Sequence, residues 1–77
     1  MTLYFENGYG FWRPIGECKT EKDVSVTINK FLQAHNYKSY YTRTWDEGGW
    51  RHYDVGSWSE AFHWRLDPAA KIPEIEE

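Results

Sequence analysis

Four side chains of this 77-residue sequence carry the nitrogen and sulfur donors that metal binding and proton transfer use: Cys18, His35, His52 and His63. Imidazole and thiolate suit zinc, but zinc ligands usually come in close pairs such as C-x-x-C or H-x-x-x-H, and neither spacing occurs here. The four residues also fall on three or four different predicted elements, so no metal and no cofactor is expected. His52 and Asp54 stand two apart, which on a strand places both on one face, as for a general base and its orienting carboxylate. The same pair is ordinary on a solvated strand, and no nucleophile motif accompanies it; no catalytic residue is assigned, and the expectation is a chain that is not an enzyme. Cys18 reads as a small packing residue just before a helix. Asn7-Gly8-Tyr9-Gly10 resembles a phosphate loop only in its glycines, because the phosphate-binding motif needs a helix directly after it and a strand follows here.

The stronger signal is aromatic. Nine of the twenty-eight residues from Tyr37 to Trp64 are Tyr, Trp or Phe, interleaved with Arg43 and Arg51. Strict alternation puts Tyr41, Arg43 and Trp45 on one face of a strand and Tyr40, Thr42 and Thr44 on the other. Rings therefore occupy both faces. The bland reading is a set of cross-strand aromatic pairs that hold a small sheet together. The sharper one is a binding face made of Tyr40, Tyr41, Arg43, Trp45, Trp50 and Arg51, since Tyr, Trp and Arg are enriched at interaction hot spots. The same residues could stack the bases of a single-stranded nucleic acid.

The elements that must position these residues follow from patterning. Leu3-Tyr4-Phe5 is a short strand, Asn-Gly is a hairpin turn, and Phe11 to Cys18 is the return strand, confined by Pro14 to a sheet edge or broken near Gly16. Thr20-Glu21-Lys22-Asp23 has the form of a capping box and opens a helix that runs to about His35. Val24, Ile28, Phe31 and Leu32 form its apolar stripe, and Val26 lies off it. Asn36 suits the left-handed residue that closes a helix. Two strands then flank Asp46-Glu47-Gly48-Gly49 as an antiparallel hairpin, and alternation from Trp58 to Leu66 gives a last strand. Leu3, Phe5, Phe62 and Trp64 are the core residues expected from the sheet. The fold class is α+β: an antiparallel sheet of four or five strands in the order β-β-α-β-β, with one further strand, and a single amphipathic helix on one face. One helix cannot cover both faces, so the second is expected to be wet or taken by a partner.

Composition bounds the rest. The chain fits one domain, expected over residues 1–66, with 67–77 as a flexible acidic tail. Five Trp, six Tyr and four Phe stand against ten Val, Ile and Leu, so the core must be built mainly from rings. Residues 1–66 hold eight Lys and Arg against eight Asp and Glu, and the net charge of −3 comes from the tail. No basic footprint favours nucleic acid. The single cysteine and the lack of an apolar leader or a membrane-length run point to the cytoplasm and away from the membrane.

Ile28-Asn29-Lys30-Phe31-Leu32, His35 through Arg43, and Tyr53-Asp54-Val55-Gly56-Ser57 carry a further signal. Over roughly residues 11–64 the sequence resembles small proteins of phages and prophages of Gram-positive bacteria that have no assigned activity. The resemblance implies expression inside a bacterial host and an unknown host or phage protein as partner; it supplies no site residues. The expected function is a non-enzymatic protein–protein interaction module, with homodimerisation through the uncovered face or an edge strand as a variant. Single-stranded nucleic-acid binding through the aromatic and Arg face is the alternative.

Overall fold

The structure, a computed structural model, describes residues 1–7, 10–37, 41–56 and 61–71. Within these residues five strands and one helix follow the expected order: β1 (Thr2–Glu6), β2 (Trp12–Glu17), α1 (Glu21–Ala34), β3 (Arg43–Glu47), β4 (Trp50–Asp54) and β5 (Ala61–Arg65). All pairs are antiparallel, and the sheet order is β2-β1-β5-β4-β3. The β1–β2 hairpin and the β3–β4–β5 meander are thus joined at the centre by β1 pairing with β5, the pairing of longest sequence separation. That pairing sets Leu3 opposite Trp64, Tyr4 opposite His63 and Phe5 opposite Phe62.

The helix begins as its capping box requires. The Thr20 hydroxyl accepts from the Asp23 amide at 3.2 Å, and the Asp23 carboxylate accepts from the Thr20 and Lys19 amides, so otherwise orphaned donors of the first turn are satisfied. It closes with Asn36 at φ 55°. The Tyr37 amide then donates to Leu32 O and the Asn36 amide to Gln33 O, the paired bonds of a Schellman ending. Between these caps Val24, Ile28 and Leu32 are buried and Val26 is exposed.

Alternation along the strands sorts side chains onto two faces. Leu3, Phe5, Phe62 and Trp64 join Val24, Ile28, Leu32, Cys18 and Val55 in one core under the helix, with Ile15, Phe31 and Tyr53 at its margin. Leu66, the last apolar residue of the expected strand, is exposed instead, because β5 ends at Arg65. The β3–β4 turn is tighter than expected. Asp46 and Glu47 remain in β3, and Gly48 and Gly49, at φ 61° and 84°, make a two-residue hairpin that only residues tolerant of positive φ can form.

The segment expected to fray from Asp67 instead folds back on the body as far as Lys71. The Leu66 and Asp67 amides donate to Gly49 O, Arg65 reaches the carbonyls of Pro68 and Ala70, and the Trp50 indole N–H donates to Lys71 O at 2.9 Å. A Cβ on Gly49 would lie 3.0 Å from the Ala70 Cβ and 3.1 Å from the Asp67 Cβ, so glycine is required there for contact as well as for backbone conformation. Among the described residues, no helix is long and apolar enough to cross a membrane.

Candidate functional site

The face of the sheet away from α1 is assembled from one to three residues of every strand. β1 supplies Tyr4 and Glu6, β2 supplies Trp12, β5 supplies His63 and Arg65, β4 supplies Trp50 and His52, and β3 supplies Arg43, Trp45 and Glu47. Among the described residues no helix lies over them, yet Tyr4, Trp50 and His63 are only 5%, 6% and 4% exposed. They bury one another. Trp12 packs edge-on to Trp50 with centroids 4.9 Å apart, Tyr4 packs edge-on to Trp50 at 5.7 Å, and Trp12 lies flat on the His63 ring at 3.8 Å and 4°. The result is a second, smaller aromatic core.

A polar chain runs through it. His63 Nε2 lies 2.7 Å from a Glu6 carboxylate oxygen, and His63 Nδ1 lies 2.6 Å from His52 Nδ1. Burial, and then the proximity of His52, push the His63 pKa down to about 3, so at neutral pH this ring is uncharged. The Glu6 contact is therefore a hydrogen bond from a neutral imidazole to a carboxylate rather than an ion pair. With its Nε2–H donated to Glu6, His63 must accept at Nδ1, and His52 must be the Nδ1–H donor. That fixes the tautomer of His63 and the direction of the hydrogen bond between the two rings. Burial raises the Glu6 pKa, while a hydrogen bond from Trp12 and attraction to His52 pull the other way.

The chain extends laterally into exposed rings. His52 lies beside Trp45 at 5.2 Å and 28°, and the Arg43 guanidinium sits 4.8 Å above the Trp45 ring while reaching Asp54 at 3.5 Å. Trp12, His63, His52, Trp45 and Arg43 thus form one continuous stripe, buried at its centre and exposed toward β3.

The sequence-predicted binding residues divide across this geometry. Arg43 and Trp45 stand together on the helix-free face and are exposed. Tyr41, just before β3, is 56% exposed, and its amide is tied to Val55 O. Tyr40 lies outside the described residues. Trp50 shares the face but is not part of an exposed surface, because Tyr4, Trp12 and the returning 67–71 segment cover it. Arg51 is on the other face, where Asp46 and Glu21 hold its guanidinium; the bond to Asp46 raises its pKa and lowers that of Asp46.

His52 and Asp54 do share a face, but Asp54 accepts from Arg43 and from the Gly56 amide, and His52 Nδ1 turns to His63. The carboxylate that orients the imidazole pair is Glu6. Sequence reasoning missed Glu6, Trp12 and Tyr4, and placed His63 only by strand alternation. Thr2-Leu3-Tyr4-Phe5-Glu6 alternates cleanly enough to put Tyr4 and Glu6 together, but their meeting with β5 requires the long-range β1–β5 register. Among the described residues, no group of three or more His, Cys, Asp or Glu is arranged to hold a metal ion. Compared with known proteins, the chain matches no family model, no curated protein and no solved structure.

Proposed function

We propose that this chain is a small, non-enzymatic protein-interaction module of phage or prophage type, acting in the cytoplasm of a bacterial host on a host or phage protein. The observation that carries the reading is the stripe on the helix-free face. Its exposed members, Trp45 and Arg43, are backed by rings fixed through Trp12, His63 and His52, so they are held in place before a partner arrives. Rigid Trp and Arg anchors that need little ordering on binding are the residues that carry most interface energy. The His52–His63 pair has neither a positioned nucleophile nor an enclosing cavity beside it among the described residues, which supports docking better than catalysis.

The test is recovery of partners by the tagged chain from a Gram-positive lysate, with and without nuclease, next to an Arg43→Ala, Trp45→Ala double variant. A nuclease-resistant protein captured by the parent chain and lost by the variant supports the reading. Capture that vanishes with nuclease moves the assignment to single-stranded nucleic acid, for which Arg43 stacked over Trp45 would be the binding pair.

A further inference from the structure

The two edges of the sheet are built differently. On β2, Pro14 has no N–H to offer, and the register with β1 shifts between Leu3 and Tyr4, so that Gly16 and Pro14 are paired and Ile15 between them is skipped. Proline and a bulge both discourage addition of another strand. β3, at the opposite edge, has neither device. Arg43-Thr44-Trp45-Asp46-Glu47 contains no Pro, Gly or Lys, pairs with β4 without a shift, and is exposed at all five positions.

We propose that β3 pairs with β3 of a second copy of this chain, antiparallel about a two-fold axis at Trp45, to give one continuous ten-stranded sheet. The backbone permits it. Glu47 and Trp50 flank a two-residue turn and so exchange their backbone hydrogen bonds, and by alternation Trp45 and Arg43 also direct their N–H and C=O groups toward β4. Thr44 and Asp46 then direct theirs outward. With Trp45 opposite Trp45, Thr44 of each copy falls opposite Asp46 of the other, so the outward donors and acceptors meet as hydrogen-bonded pairs. Trp45 occupies the close, non-hydrogen-bonded position, where facing Cα atoms are about 4.5 Å apart and side chains make most contact.

The side chains select the same register. Arg43, Trp45 and Glu47 share the helix-free face, and the two-fold axis sets Arg43 of each copy against Glu47 of the other. Glu47 has no ion pair among the described residues, and Arg43 has only its 3.5 Å contact with Asp54. A shift of two residues in one direction sets Asp46 against Asp46, and in the other sets Glu47 against Tyr41; both lose the two Arg–Glu pairs. The blunted β2 edge prevents growth beyond two copies, so the assembly closes. The interface uses the β3 edge together with the Arg43, Trp45 and Glu47 side chains, and it is read by self-association of the chain alone, with no other protein present.

The experiment is sedimentation equilibrium of the purified full chain with two single variants, Arg43→Glu and Glu47→Arg. The parent chain is expected to dimerise reversibly in about the micromolar range, as suits a small contact. Each variant alone should dimerise roughly ten-fold more weakly or worse, because like charges now face each other twice. An equimolar mixture of the two variants should recover dimers, since every charged position of one chain meets the opposite sign in the other. Hydrogen exchange on the parent chain gives a readout free of substitution: the Thr44 and Asp46 amides should be protected at high concentration and exposed on dilution. A parent chain that stays monomeric into the sub-millimolar range, variants that dimerise as tightly as the parent, or a mixture without recovery would each overturn the proposal.

Discussion

On the helix side of the sheet Phe62 and Val55 lose all exposure beneath α1, while on the far side Tyr4, Trp50 and His63 come within a few per cent of the same burial with no helix of the described residues above them. The first face is closed by aliphatic and aromatic side chains reaching across from a second layer. The second is closed by rings lying on one another within a single layer, with a Glu6–His63–His52 hydrogen-bond chain at its centre. A chain this poor in Val, Ile and Leu can therefore build two cores, provided the second is made of side chains large enough to cover their neighbours. The second core also leaves an open side, and there Trp45 and Arg43 remain exposed.

The difference can be broken most severely from the helix side. Phe62→Ala removes a side chain with no exposure from the middle of the first core and should cost about 3–5 kcal/mol, leaving the chain largely unfolded in urea titrations at 25 °C. Trp50→Ala probes the second core. If that face is as well packed as its burial indicates, the loss should be about 3 kcal/mol in the same titration and should also release residues 67–71, seen as faster exchange of the Asp67 amide. A loss below about 1 kcal/mol would reduce the second core to a surface cluster.

Acid distinguishes the faces by chemistry. His63 is held neutral in the folded state with its pKa near 3, whereas in the unfolded chain it titrates at its ordinary value near 6.5. The unfolded state therefore binds more protons between these values, and the stability that His63 contributes is complete above about pH 6.5 and lost as pH falls toward 3. Glu6, shifted upward, acts with the opposite sign close to its own ordinary value of 4.5, so the His63 effect should be cleanest between pH 6.5 and 5. The slope there is bounded by one proton, about 1.4 kcal/mol per pH unit, and His63→Gln should flatten it in thermal melts recorded across that range. Thr20→Ala, which removes the helix cap and touches neither core, should cost about 1 kcal/mol at all of these pH values.

What the sequence disclosed and what it hid follow the same division. The helix, its cap, its Val24, Ile28 and Leu32 stripe and the four strand residues of the first core were all legible, because period and capping are local signals. The second core was not. Arg51 looked like a partner for the exposed rings, but one step of strand alternation puts it on the opposite face with Glu21 and Asp46. Trp50 looked exposed because nothing local announces that residues 67–71 return to cover it. His52 pointed along its own strand to Asp54, while the sheet turned it across to His63 and through it to Glu6, a partner 57 positions from His63 in the chain. Contacts of that range are set by register, and register is a property of the whole sheet.

The central claim is that the helix-free face divides into a structural part and a docking part along the His52–Trp45 boundary. The most direct test is a single comparison of the parent chain with Trp45→Ala, reading thermal stability and nuclease-resistant capture from lysate on the same preparations. The account predicts a melting temperature within a few degrees of the parent and loss of the captured protein. A variant that captures the same protein at undiminished yield, or one that unfolds as Trp50→Ala does, would contradict it.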